Sequence, residues 1–133
     1  MEKLFKEPEL QKKFDDTKIL FEEVKLAVSS KVDLNNPISV LEKLNLIANI
    51  QGTAAECKAR FQFLLERHTL NKLSITDNYN GSAAEKKAIL NAEVAGVSFY
   101  DTWCELVIKE MHYRIEILRT ALSYLKSETL NLK

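Results

Sequence analysis

The residues best suited to metal or thiol chemistry are Cys57, Cys104, His68 and His112. A zinc site needs such ligands to converge on one point at about 2.0–2.3 Å. Cys57 and His68 fall on one side of a helix but three turns apart, roughly 16 Å, too far to share an ion. Cys104 and His112 differ by about 80° around their helix and by two turns along it. A helical di-iron site asks for Glu-x-x-His, and neither histidine has a glutamate three residues before it. No metal is expected.

In an antiparallel hairpin turning about residues 73–81, facing residues have numbers that sum to roughly 154, which offsets the two cysteines by ~10 Å. That is beyond disulfide reach. They read as buried thiols used as small apolar side chains.

Acid–base chemistry has two candidates. Glu110 interrupts an aromatic and aliphatic run between Leu106 and Tyr113, and Glu93 sits in a similar setting. A desolvated carboxylate there could have a raised pKa. An ion pair, with Arg114 four residues on or with a basic residue across an interface, is the reading we adopt for Glu110. No nucleophile or second catalytic group accompanies either residue, and no serine stands in a G-x-S-x-G setting. The chain is therefore expected to be non-enzymatic, with no catalytic, cofactor-binding or metal-binding residue and no cofactor.

One chemical set remains. Phe99, Tyr100, Trp103, Tyr113 and Tyr124 could stack on single-stranded nucleic acid, with Lys109, Arg114, Arg119 and Lys126 meeting phosphates along the same helix. Interleaved Leu and Ile at helical spacing favour a packing role for the aromatics instead. The single tryptophan, Trp103, is expected in the core or at an oligomer interface.

These residues must be carried by helices. Three glycines and two prolines leave few breaks, and Leu, Lys, Glu and Ala are abundant. A first helix over 8–29 opens on Pro8, which suits the first helical position. It carries the stripe Leu10, Phe14, Thr17, Phe21, Val24 and Val28. A second helix over 37–72 follows "NNP", with Asn36 as its cap and Pro37 behind it. Its stripe runs from Val40 through Leu44, Ile47, Ile50, Ala54, Cys57, Phe61 and Leu64 to His68. The stripe keeps phase across Gly52, where a bend or break could fall.

"LSITDNYNGS" is the turn-rich segment, and Ser82 with Glu85 forms the S-x-x-E signature of a helix start. "GTAAECKA" and "GSAAEKKA" share this punctuation and then diverge, so they are neither a repeat nor a phosphate loop. A third helix over 82–128 would be ~70 Å long. It must break, most plausibly at 95–98, or project from the body. It carries two adjacent apolar stripes. One is Tyr100, Cys104, Val107, Met111, Ile115, Leu118, Leu122 and Leu125; the other is Phe99, Trp103, Leu106, Tyr113, Ile117 and Tyr124.

Charge and composition narrow the class. Nineteen basic and nineteen acidic residues cancel. They also balance locally: seven basic against eight acidic in 1–33, five against four in 34–81, and seven against seven in 82–133. Nucleic-acid binders usually carry a basic block, so this balance weighs against one. No apolar run approaches the ~20 residues of a membrane span. The N-terminal residues lack the apolar core of a signal peptide, and the two cysteines make no disulfide framework. A cytoplasmic location and no membrane partner are expected.

Residues 53–128, with "AAECKARFQFLLER", a short loop, "GSAAEKKA" and a long helix ending in Leu118-Arg119 through Leu125-Lys126-Ser127-Glu128, resemble small all-helical proteins of bacteriophage and prophage early regions. The resemblance implies a phage or mobile-element protein, encoded among recombination and replication functions. It carries over no functional residue.

The expectation is an all-α protein, a single helical domain over 1–133. A long antiparallel hairpin with an added N-terminal helix would form a three- to four-helix bundle. Its function is expected to be interaction or assembly, with itself as partner in a homo-oligomer or with another protein. The candidate interface is Trp103, Met111, Ile115, Leu118 and Leu122. The alternative is a single-stranded DNA-binding accessory using Lys109, Arg114, Arg119 and Lys126.

Overall fold

A computed structural model describes residues 3–77 and 79–131. They form four helices: α1 (Pro8–Ser29), α2 (Pro37–Asp77), α3 (Ala83–Glu93) and α4 (Ala95–Asn131). The fold is all-α. Chain reversals put α1 and α4 side by side in the same direction, with α2 antiparallel to both.

Each helix start follows from its local residues. Pro8 opens α1 without needing a hydrogen bond from its nitrogen. The Asn36 side-chain oxygen accepts from the Ile38 and Ser39 amides at 3.0 and 3.4 Å, capping α2 as expected. Ser82 accepts from the Glu85 amide at 3.1 Å to start α3. The Glu85 carboxylate accepts from the Tyr79 hydroxyl at 2.9 Å. A Cβ at Gly81 would collide with both the Tyr79 ring and that carboxylate, so the turn needs glycine for close approach.

The second helix is one continuous helix through Gly52, as its unbroken stripe implies; α2 runs for 41 residues and ends five residues later than expected. Gly52 faces open space, so it costs propensity there without creating a hinge. Thr53-x-x-Glu56 consequently lies inside a helix, where Glu56 pairs with Arg60 at 2.5 Å. The third helix does divide, at Val94, one residue before the expected 95–98. Val94 (φ −101°, ψ 6°) separates α3 from α4. Its N–H still donates to Leu90 O, and its carbonyl accepts from Ser98 N–H. The junction is therefore an elbow, not a loop.

The core lies where α1, α2 and α4 meet. Phe61 of α2 contacts Phe14 (6.4 Å between ring centroids), Phe21 (5.6 Å) and Tyr100 (5.6 Å). Aliphatic layers of Val24, Ile47, Val107 and Met111 continue this contact away from the aromatic end. Fully burying such side chains contributes about 1.5–3 kcal/mol each. The expected stripes of α1 and α2 are the buried ones, Phe14 to Val28 and Val40 to His68.

Residues ahead of α1 add a piece the periodicity did not reveal. Gln11 accepts from the Leu4 and Phe5 amides at 3.0 Å each. That folds the N-terminal segment back, and Phe5 becomes a core residue against Phe14 and His68. Leu4 packs over Gly96 in the first turn of α4.

The α2–α4 register is set by Cys104 beside the Ala54 carbonyl and by the Lys58–Asp101 ion pair at 2.8 Å. It is about one turn from the register expected for the hairpin. In this register Leu118 lies level with Val40, near the start of α2. The last turns of α4 therefore extend beyond the other long helices.

Candidate functional site

Cys57 and Cys104 are free and buried in the α1–α2–α4 core. Burial pushes the Cys57 thiol up to about 11, with Glu56 adding to the effect. Burial, then the neighbouring Cys57, pushes Cys104 up to about 12. Thiols this reluctant to ionise are poor nucleophiles and poor metal ligands. Among the described residues, no three His, Cys, Asp or Glu side chains are grouped so that they could hold a metal ion.

A second helix ending at residue 72 would place His68 in its last turns, where the dipole favours a charged imidazole. With α2 running to Asp77, it is instead a buried side chain, 4.9 Å from the Phe5 ring. Burial, then Lys72, lowers its pKa below the ordinary 6.5, so the fold favours the neutral ring.

Lys43 is the polar feature that sequence periodicity missed. It is only 4% exposed. Its ammonium donates to Ala27 O at 2.6 Å, Val28 O at 3.0 Å, and both Ser30 O and Ser30 Oγ at 2.6 Å. These are the carbonyls left without helical partners where α1 ends, and a cation there also meets the negative end of the helix dipole. Desolvation, then Arg114, lowers the Lys43 pKa. The ammonium joins two helices; with its donors occupied, it offers little to a ligand. The only advance signal was its position one residue before Leu44 on the packed side of α2.

The two faces of α4 separate clearly. Met111 and Leu118, offered from sequence as interface residues, are each 2% exposed inside the chain's own core. Ile115 and Leu122 are half-buried against that core. Four of the five candidate interface residues thus belong to the inner stripe, because α2 covers it. The fifth, Trp103, sits on the edge between faces. It packs edge-on against Phe21 at 5.2 Å, with the Lys25 ammonium 3.7 Å from its ring centroid.

The outer stripe is uncovered. Phe99, Leu106, Tyr113, Ile117 and Tyr124 are 58, 58, 65, 38 and 67% exposed. Their spacings of seven, seven, four and seven residues hold them within roughly 40° of one another around α4. They form a line ~38 Å long. Two recesses flank it. One of about 220 Å³ is lined by Phe99, Thr102, Trp103 and Leu106. Another of about 280 Å³ includes Leu34, Tyr113, Ile117 and Leu118.

Glu110 lies in the same line and is held by Arg114, with Nη2 and Nε at 2.9 and 3.1 Å from its Oε1. The expected ion pair is present. The four basic residues offered as DNA contacts do not gather on one face. Arg114 is occupied by Glu110, and Lys109 is exposed beside the stripe. Arg119 and Lys126 point roughly 140° and 160° away from it.

By fold and surface this is an all-helical protein with an uncovered apolar stripe on its longest projecting helix. Compared with protein-family models, curated proteins and solved structures, the chain finds no match. Among the described residues, no helix is long and apolar enough to cross a membrane.

Proposed function

We propose that this chain is a non-enzymatic assembly protein that self-associates through the outer face of α4. One observation carries the reading: five large apolar side chains stand in line on the side of α4 turned away from its own core. Together they expose on the order of 500 Å², near the upper size of patches on monomers. That is well over half of the ~800 Å² each partner contributes to a standard interface. The resemblance of residues 53–128 to small helical phage and prophage proteins supports a mobile-element setting, and two buried thiols suit a reducing cytoplasm.

The competing reading is a single-stranded DNA accessory. It has weaker support, because the exposed aromatics and the basic residues diverge around α4. Light scattering with and without a fluorescent single-stranded oligonucleotide separates the two. Assembly predicts a species heavier than 15.2 kDa that ignores the oligonucleotide. A 15.2 kDa species that takes up the oligonucleotide at low salt and releases it at high salt would replace assembly with the DNA reading.

A further inference from the structure

We infer that the outer face of α4 is occupied by α4 of a second copy, lying antiparallel about a two-fold axis level with residues 111 and 112; this rests on the assembly reading above. The stripe continues through Trp103, Glu110 and Thr120 as an uninterrupted three-four alternation from Phe99 to Tyr124. Such spacing is the seam of a two-stranded coiled coil. Its composition selects the orientation.

In a parallel in-register pair, Glu110 would face Glu110 of the second copy in the seam, and Lys109 would flank its Arg114. Both juxtapositions repel. In the antiparallel pair Phe99 meets the second copy's Tyr124, Trp103 its Thr120, Leu106 its Ile117, and Glu110 its Tyr113. Two-fold symmetry repeats every layer. Arg114 already holds Oε1 of Glu110, and the facing phenol can donate to Oε2. The buried carboxylate is then matched from both sides.

The flanking charges select the register. Lys109 and Glu116 are both exposed on one border of the stripe. Seven residues, roughly 10 Å, separate them along their own helix, so they form no pair within one chain. In the antiparallel alignment Lys109 faces the second copy's Glu116, twice per dimer. A slip of one heptad in one direction sets Lys109 against Lys109. In the other direction it sets Glu116 against Glu116. Only the central register is free of like-charge contacts on this border. The recesses fit the same alignment: the one at Phe99 and Trp103 receives the second copy's Tyr124, and the one beside Tyr113 and Ile117 receives its Leu106.

The test is a charge-reversal cycle read by sedimentation equilibrium. Lys109→Glu is expected to weaken self-association about tenfold, since it creates two symmetric Glu–Glu contacts. Glu116→Lys should do the same. The double variant should return to within about twofold of the parent, and helicity by circular dichroism should be unchanged throughout. A spin label at Ser123→Cys gives the orientation independently. Antiparallel helices place the two labels ~35 Å apart along the axis, whereas parallel ones bring them within ~20 Å. A heavier species with a short label distance, or with no rescue in the double variant, overturns the antiparallel pairing and leaves assembly standing. A 15.2 kDa species at every concentration overturns both.

Discussion

The inner and outer faces of α4 are built from similar residues and meet opposite fates. Cys104, Val107, Met111 and Leu118 are sealed against the rest of the chain, while Phe99, Leu106, Tyr113 and Tyr124 stand mostly in solvent. Apolar composition alone does not separate them. What differs is that α2 lies along one face, whereas the other is bordered only at its edges, by Phe21 of α1 beside Trp103 and by Leu34 beside Tyr113 and Ile117. The inner face finds its cover within the chain; on the assembly reading proposed above, the outer face finds it in a second copy.

This contrast is sharpest in a pair of substitutions. Phe61→Ala removes the ring that Phe14, Phe21 and Tyr100 all contact, and should cost about 3–5 kcal/mol in urea denaturation. Tyr124→Ala, on the outer face, should leave the stability of the dilute chain within about 0.5 kcal/mol. Equal losses at the two sites would erase the distinction between the faces.

The next effect concerns Lys43, the buried ammonium of α2. Lys43→Met keeps most of the side-chain volume but deprives the α1 carbonyls and Ser30 of their donor. Leaving buried acceptors unmatched should cost about 2–4 kcal/mol, measured by the same denaturation. A neutral outcome would mean that water replaces the ammonium, and that this end of the core is more open than its packing implies.

A smaller, pH-dependent effect belongs to His68, which packs beneath Phe5 and is faced by Lys72 of α2, Glu93 of α3 and Glu7 ahead of α1. Burial lowers its pKa, so below 6.5 the unfolded chain binds the proton more readily than the folded one. Its contribution is complete above that pH and is lost as pH falls through the lowered folded value. Denaturation midpoints between pH 7.5 and 5 should decline less steeply in His68→Leu than in the parent. Identical slopes would remove His68 from the acid response.

The smallest effect tests the continuity of α2. Gly52→Ala adds a Cβ into open space on an unbroken helix, and should raise stability by about 0.5–1 kcal/mol. A loss would point to a hinge.

Much of the fold was legible from residue spacing. The cap at Asn36, the start at Ser82 and the buried stripes of α1 and α2 all follow from local rules, because capping and periodicity act over a few residues. The two stripes of α4 were legible as well. Which of them is covered was not, since that depends on the angle at which α2 crosses. Spacing alone therefore places Met111 and Leu118 among the candidate interface residues although the fold buries them, and suggests a packing role for Tyr113 and Tyr124, which the chain itself leaves exposed. Phe5 and Lys43 were hidden for a related reason. Each is buried against a segment distant in sequence, Phe5 against His68 of α2 and Lys43 against the end of α1, so no periodic signal marks them.

The most direct measurement is the solution mass of the parent chain and of Leu106→Glu, by light scattering over a wide concentration range. Leu106 is exposed and central to the stripe, so a carboxylate there should not disturb the chain's own core. The parent should approach twice 15.2 kDa as concentration rises. The variant should remain at the single-chain mass about a hundredfold further up in concentration, consistent with loss of an interface hot spot. A parent that stays at 15.2 kDa throughout, or a variant that associates as readily as the parent, would contradict an assembly surface on the outer face of α4.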